Sequence, residues 1–207
     1  MMDVLVGTGN PAKLDMFREL LEGYPVRLLS LRDVNVPGQP EETGRTPEVN
    51  ALQKAAFYGR YMDYAIGNDA GLYLDAFDFD DPRQPGLHIR TPHGVRLDDE
   101  QMIEHYAALA RSLGGRALAY YRDGFAVKTP DALVGYMTTR EEARERAFYL
   151  IDTPSPKRRP GWPLDSISQL MDGTPFLERG VVLKPSIKLD MRRGWQGFLL
   201  RALGLSR

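Results

Sequence analysis

Lys13 occupies a place that suits a cation poorly. The stretch VLVGTGNPAKLDMFRELL reads as a short apolar strand (Val4 to Val6), a glycine turn (Gly7, Thr8, Gly9) and a helix. Asn10 is a good N-cap for that helix, and Pro11 suits its first position. Leu14, Phe17, Leu20 and Leu21 recur at helical spacing, so Lys13 falls in the first turn. The helix dipole is positive there, and a cation costs a few tenths to about 1 kcal/mol. An anion in front of the turn reverses that sign, because the first helical N–H groups point at it. Thr8 and Asn10 can add side-chain hydrogen bonds to the same anion. The alternative is a surface lysine whose stem snorkels to water. The loop is not a P-loop, which requires G-x-x-x-x-G-K-[ST]. It does match G-x-G-x-x-A through Gly7, Gly9 and Ala12, a dinucleotide pattern whose expected acid is met only loosely by Asp33.

Other residues invite the same kind of reading. Arg192 and Arg193 follow Asp190 into the first turn expected of the last helix, where they are either solvated or face a polar ligand group. Asp69 lies in IGNDAGLYL beside Gly71, where it is either a turn residue bonding its own backbone or a rigidly held carboxylate. Glu41, Glu42, Glu48 and Asp75 are the acids nearest to it in sequence. Oxygen-only ligands suit Mg²⁺, which takes one or two carboxylates together with phosphate and water. His88, His93 and His105 have no metal-site spacing, and His105 reads as a helix-surface residue. Trp162, between prolines in a loop, is either a stacking platform for a nucleobase or a lid on the core.

The elements that must position these residues can be read in order. VRLLSL is a second strand, followed by a polar loop over 35–46. Thr46-Pro47-Glu48 opens a helix through about Met62, with Leu52, Ala55, Ala56 and Gly59 inward. DYAIGNDAGLYLDAF is expected to be strand, tight turn at 68–71, and strand. Asp98 with Gln101 forms a capping-box pattern for a helix that Gly114-Gly115 ends. ALAYYRDGFAVKT and DALVGYMTTR read as a strand pair, and RAFYLIDTP as a further strand. The last helix, from about Asp190, turns Trp195, Phe198, Leu199, Ala202 and Leu203 inward. Strands and helices alternate with an antiparallel middle, which implies α/β with a mixed sheet.

The totals exclude several classes. Over 207 residues the chain is 43% apolar and 27% charged with a net charge of -1, which gives no support for a long nucleic-acid footprint or a membrane surface. The absence of cysteine removes disulfides, thiolate catalysis and Cys–zinc sites. Met1 opens straight into strand–turn–helix with no signal peptide, and the cytoplasm is the expected setting.

Taken together, these segments resemble the inosine triphosphate pyrophosphatases, the Ham1 or non-canonical purine NTP pyrophosphatase family. Thr8-Gly9-Asn10 with Lys13 is similar to the family's TGNxxK, and EETGRTPEVNALQKA to EETGxTFxENAxxKA. AIGNDAGLYLDAF is similar to AxADDSGLxVDAL, and PGLHIR, ending in Arg90, to PGxxSAR one residue short. The second half is less similar: Gly161 to Asp165 matches G-F/W-G-x-D, and Asp190 to Arg193 falls where the family has Ser-His-Arg.

The resemblance implies hydrolysis of nucleoside triphosphates to the monophosphate and pyrophosphate with Mg²⁺. It implies an elongated two-lobed ITPase-like (Maf/Ham1) α/β fold with a central cleft, one domain over 1–207, and a homodimer. It makes Thr8, Gly9, Asn10, Lys13 and Lys54 phosphate ligands, and Asp69 the general base and, with Glu48, a metal ligand. Trp162 would stack on the base, and Asp165, Arg90, Arg192 and Arg193 would read base and sugar. The chain departs from the pattern at Val49, Asn68 and Ala70, where the family has Glu, Asp and Ser, and at Pro163, where it has Gly. The alternative is therefore a catalytically weakened relative that holds a nucleotide in a regulatory or sequestering role.

Overall fold

Val4 and Val6 turn to one side of a strand and Leu5 to the other, and each side is covered by a different helix. In the computed structural model, which describes residues 1–159, 162–178 and 193–205, β1 (Met2–Val6) pairs in parallel with β2 (Val26–Leu29). Its other neighbour is β3 (Ala65–Leu74), also parallel, through Leu5↔Ala65 and Val6↔Ile66. The chain divides into two compact units, the first being Met1–Ala70, Asp123–Thr138 and the described C-terminal residues, the second Gly71–Arg122 and 139–178. Two strands, β3 and β4 (Arg116–Lys128), run through both units.

Within the first unit the order is β2-β1-β3-β4, and β5 (Leu133–Met137) pairs antiparallel with β4. On one face lies α1 (Pro11–Leu20), whose Phe17 and Leu20 pack with Val4, Val6, Ile66, Phe125 and Val127. The same cluster takes Trp195, Phe198, Leu199 and Leu203 from the last helix, which is described from Arg193 (Arg193–Ala202). That is the inward face expected from the sequence, with Ala202 at its margin; Asp190, its expected start, lies outside the described residues.

The opposite face carries the helix Pro47–Tyr58, which follows a single-turn α2 (Leu31–Val34) and is called α3. It docks on two glycines. A Cβ on Gly67 would stand 2.0 Å from Ala51 O, and one on Gly124 would stand 2.2 Å from the Pro47 carbonyl carbon. The buried side of α3 is Ala51, Ala55 and Tyr58; Ala56, expected inward, is exposed. The β1–β2 connection through α1 and the β2–β3 connection through α3 cross opposite faces, which makes the carboxyl end of β1, beside β3, a switch point of the sheet, where open α/β folds bind ligands.

In the second unit β6 (Phe148–Ile151) lies antiparallel between β4 and β7 (Ser168–Gln169). Helix α4 (Asp99–Ser112) starts at the Asp98/Gln101 capping box and buries Met102, Ile103, Tyr106 and Ala110 against Ala117, Ala119, Phe148 and Leu150. A short α5 (Arg140–Arg144) supplies two guanidiniums to Asp75, each at 3.0 Å.

The fold is thus α/β with a sheet of mixed orientation. Two local expectations are corrected. The stretch at 68–71 is continuous strand, because the Asn68 amide bonds Gly124 O of β4 at 2.9 Å and the Asp69 carboxylate bonds α3, while the local contact, Asn68 Nδ2 to Asp69 O at 3.3 Å, is the longer one. The second strand ends at Leu29, because Ser30 and Asp33 form a reciprocal capping box that starts α2. Gly67→Ala is expected to destabilise the protein by about 3 kcal/mol or more in urea unfolding, since the backbone of α3 must move away; wild-type stability in this variant would contradict the docking described.

Candidate active site

Asp69 is held from two directions by α3. Asn50 and Lys54, one helical turn apart, both face it. Asn50 Nδ2 donates to Asp69 Oδ2 at 2.8 Å, and Lys54 Nζ lies 3.0 Å from Asp69 Oδ1. The amide of Asn50 is oriented by the loop before the helix, because Gly44 N–H donates to its Oδ1 at 2.8 Å. Lys54 also pairs with Glu42 Oε2 at 3.0 Å, so one ammonium bridges two carboxylates. Thr46 caps α3 by accepting from Val49 N–H, which fixes where Asn50 and Lys54 point. The carboxylate of Asp69 is mostly buried and accepts at both oxygens, with lone pairs remaining for a proton, a water or a cation.

Lys13 stands on the other side of the sheet's end. The carbonyl of Asn10 accepts from the N–H groups of Lys13 and Leu14, which makes Asn10 the cap of α1 as expected, and Thr8 Oγ1 accepts from Asn10 N–H. Among the described residues the Lys13 ammonium makes no hydrogen bond or ion pair. Burial, followed by repulsion from Lys54, pushes its pKa below the ordinary 10.5, while Asp69, Asp123 and Glu42 pull it back. A half-buried cation at the positive end of a helix, with a second lysine in its field and no bonded partner among the described residues, is open to an anion's oxygen.

The structure brings Thr8, Gly9, Asn10 and Lys13 to one end of the sheet in the first unit, and Lys54 and Asp69 with Asn50 and Glu42. It turns Glu48 elsewhere. A Cβ on Gly135 of β5 would lie 2.8 Å from Glu48 Oε1, so this acid, expected beside Asp69, lies over β5. Two residues on a helix are about 200° apart, which separates Glu48 from Asn50. Val49 is exposed at 40%.

In the second unit Arg90 pairs with Asp99 at 2.8 Å, and Trp162 is 41% exposed under the Arg159 guanidinium, which in turn pairs with Asp165 at 3.0 Å. Trp162 is therefore not a lid on the core. Arg192 and the side chain of Arg193 lie outside the described residues. His88, His93 and His105 all line one cavity of about 520 Å³ in the second unit, and His105 is half-buried. Among the described residues no three His, Asp or Glu side chains stand together as a ready-made metal cage.

The description of the Ham1 family matches residues 4–139. The chain belongs to the Ham1 family. It is 31% identical over 134 residues to a dITP/XTP pyrophosphatase of Bacillus subtilis, covering 63% of this chain and 65% of that one. It is 35% identical over 88 residues to a dITP/XTP pyrophosphatase of Thermoanaerobacter pseudethanolicus, covering 42% of each. The chain thus spans about two fifths to two thirds of the length of such curated relatives. A Ham1 protein from Coxiella burnetii superposes over 100% of both chains with a TM-score of 0.71 at 20% identity, which shows the shared fold.

In this Ham1 chain two site residues escaped the sequence reading. Asn50 holds Asp69, and its spacing of four from Lys54 was the available signal. Asp123, 9% exposed, faces Lys13 from β4 and was hidden inside a strand.

Two outcomes follow. Asn50→Ala should destabilise the protein by about 1–3 kcal/mol in urea unfolding, because Asp69 Oδ2 loses its amide donor; unchanged stability would show the contact idle. For Lys13, the unfolded chain holds the proton more tightly than the folded one. Stability should therefore rise with pH from the lowered folded-state pKa up to 10.5. Lys13→Met should flatten that rise relative to wild type and increase Tm at pH 7, measured without ligand. A lower Tm in Lys13→Met would mean that the lysine is stabilising as it stands.

Proposed function

We propose that this chain is a Mg²⁺-dependent pyrophosphatase that cleaves non-canonical purine nucleoside triphosphates to the monophosphate and pyrophosphate. The observation that carries this reading is Lys13, a cation without a bonded partner among the described residues, with Lys54 in its field where β1 ends beside the middle of β3. A polyphosphate supplies the bonded partner that Lys13 lacks among the described residues, and the α1 N–H groups with Thr8, Gly9, Asn10 and Lys13 are its cradle. Lys54 adds a second cation and pairs with Asp69 at 3.0 Å. Relatives named dITP/XTP pyrophosphatases support the substrate class.

Asp69 is the general base. Its carboxylate accepts the proton of the attacking water as the α–β phosphoanhydride breaks, and the bonding electron pair leaves on the pyrophosphate oxygen. Asn50 and Lys54 keep the carboxylate in one orientation while this happens. The residues fit a hard divalent cation. The acids facing Lys13 offer only oxygen donors, and Asn68 Oδ1 is buried without a hydrogen-bond partner. Asp69 is the carboxylate that would hold it, and one or two carboxylates suffice when phosphate and water complete the shell. When bound, Mg²⁺ neutralises charge developing on the triphosphate oxygens. We further propose that 1–207 acts as one ITPase-like domain, as a homodimer in the cytoplasm, without nucleic-acid or membrane partners; among the described residues no helix is long and apolar enough to cross a membrane.

The test is pyrophosphate release from ITP, dITP, XTP, GTP, ATP and the pyrimidine triphosphates, with and without Mg²⁺. Metal-dependent turnover favouring ITP, dITP or XTP is expected, and Asp69→Asn should lower kcat by about 10²–10⁴ while the protein stays folded. Full activity in Asp69→Asn would overturn the assignment. Silence across the panel with a nucleotide still raising Tm would instead make the chain a nucleotide-holding protein.

A further inference from the structure

Asp123 is a buried carboxylate that the reaction above leaves unused. Strand alternation fixes its direction. In β4, Gly124 lies under α3 and Ala126 packs with Ala51 and Ala55, while Phe125 and Val127 join Phe17 of α1. Asp123 therefore points to the α1 side, where Lys13 stands. Its backbone is pinned, because the carbonyl accepts from both Thr138 N–H (2.9 Å) and Thr138 Oγ1 (3.0 Å).

The same alternation in β3 brings a second group to that side. Ile66 packs with Phe17 and Gly67 lies under α3, so Asn68 returns to the α1 face. It is 3% exposed. Its Nδ2 donates to Gly124 O at 2.9 Å and to Asp69 O at 3.3 Å, and its Oδ1 is buried with no partner. The amide cannot be turned over to cure this, since a flip would set Oδ1 against two carbonyl oxygens. A buried acceptor without a donor calls for one more group in the site.

We propose that Asp123 and Asn68 Oδ1 are ligands of the divalent cation, supplying the second carboxylate that Glu48, turned to β5, does not. Carboxylate and amide carbonyl are the donors a hard cation takes, and both sit on pinned strands. The neighbouring charges fit: Lys13 meets the phosphate oxygens, and Asp69 and Glu42 are occupied in part by Lys54. The inference rests on the pyrophosphatase reading for the cation's purpose and on the geometry above for its place.

The test uses the full chain and Mn²⁺ alone, with free Mn²⁺ counted by electron paramagnetic resonance. Wild type should bind one ion, Asp123→Asn should bind it at least tenfold more weakly, and Asn68→Asp, which adds a charge at the orphaned oxygen, should bind it several-fold more tightly. In EDTA, pyrophosphate should still raise the Tm of Asp123→Asn, showing the Lys13 site intact. Unchanged Mn²⁺ affinity in Asp123→Asn, or no Mn²⁺ bound by wild type, overturns the proposal. Should Asp123→Asn fail to fold, Asn68→Asp decides alone, equal or weaker binding overturning it. Asp123-dependent Mn²⁺ binding in a wild type that releases no pyrophosphate would leave the metal site standing and remove the pyrophosphatase reading.

Discussion

A half-buried ammonium group at the positive end of a helix, without a bonded partner, is a standing cost to a fold. Among the described residues Lys13 is such a group, and the first unit is arranged around it. The helix that carries it is anchored by Phe17 and Leu20 in the cluster with Phe125, Trp195 and Phe198, so the lysine cannot swing its backbone away. The acids in its field sit on other elements: Asp69 on β3, Asp123 on β4, Glu42 in the loop before α3. Attraction from those acids softens the cost without removing it, because burial and then Lys54 work against them. An anion would relieve all of it, which is how a binding site stores affinity in the unliganded protein.

The second constraint is the approach of α3 to the sheet. Glycine at 67 and 124 lets its backbone come within van der Waals contact of β3 and β4, and only then do Asn50 and Lys54 reach Asp69. Packing and chemistry are the same fact here. A carboxylate aimed by an amide, itself aimed by the Gly44 N–H, is preorganised before substrate arrives. The departures from the family pattern fall on this frame unevenly. Val49 is solvent-exposed, whereas Asn68 exchanges a charge for an amide that ties β3 to Gly124 O.

Much of this was legible in the residues, and the reasons for the rest are physical. Thr46-Pro47 and the Asp98/Gln101 box announced their helices because caps are local signals. The Ser30/Asp33 box is local too, but it closes the apolar run VRLLSL, whose composition reads as strand throughout. The supposed turn at 68–71 could not be settled locally. Asn-Asp-Ala-Gly has turn chemistry, and what overrides it is a bond to Gly124, 56 residues away. Asp123 was invisible for a similar reason. Asp-Gly reads as a turn signal, and only the alternation of Phe125 and Val127 around it shows a charged side chain inside a strand. Glu48 shows the converse: adjacency in sequence to a motif position did not place it, since one residue on a helix is a rotation of about 100°.

The measurement that bears most directly on this account is the titration of Lys13 itself, followed by NMR of a protein labelled at lysine Cε and assigned with Lys13→Met. Without ligand the ammonium should lose its proton below the ordinary 10.5. With inorganic pyrophosphate bound, its pKa should move upward, because the anion stabilises the charged form. A Lys13 that titrates at its ordinary value and ignores pyrophosphate would contradict the claim that this end of the sheet is built for a polyphosphate.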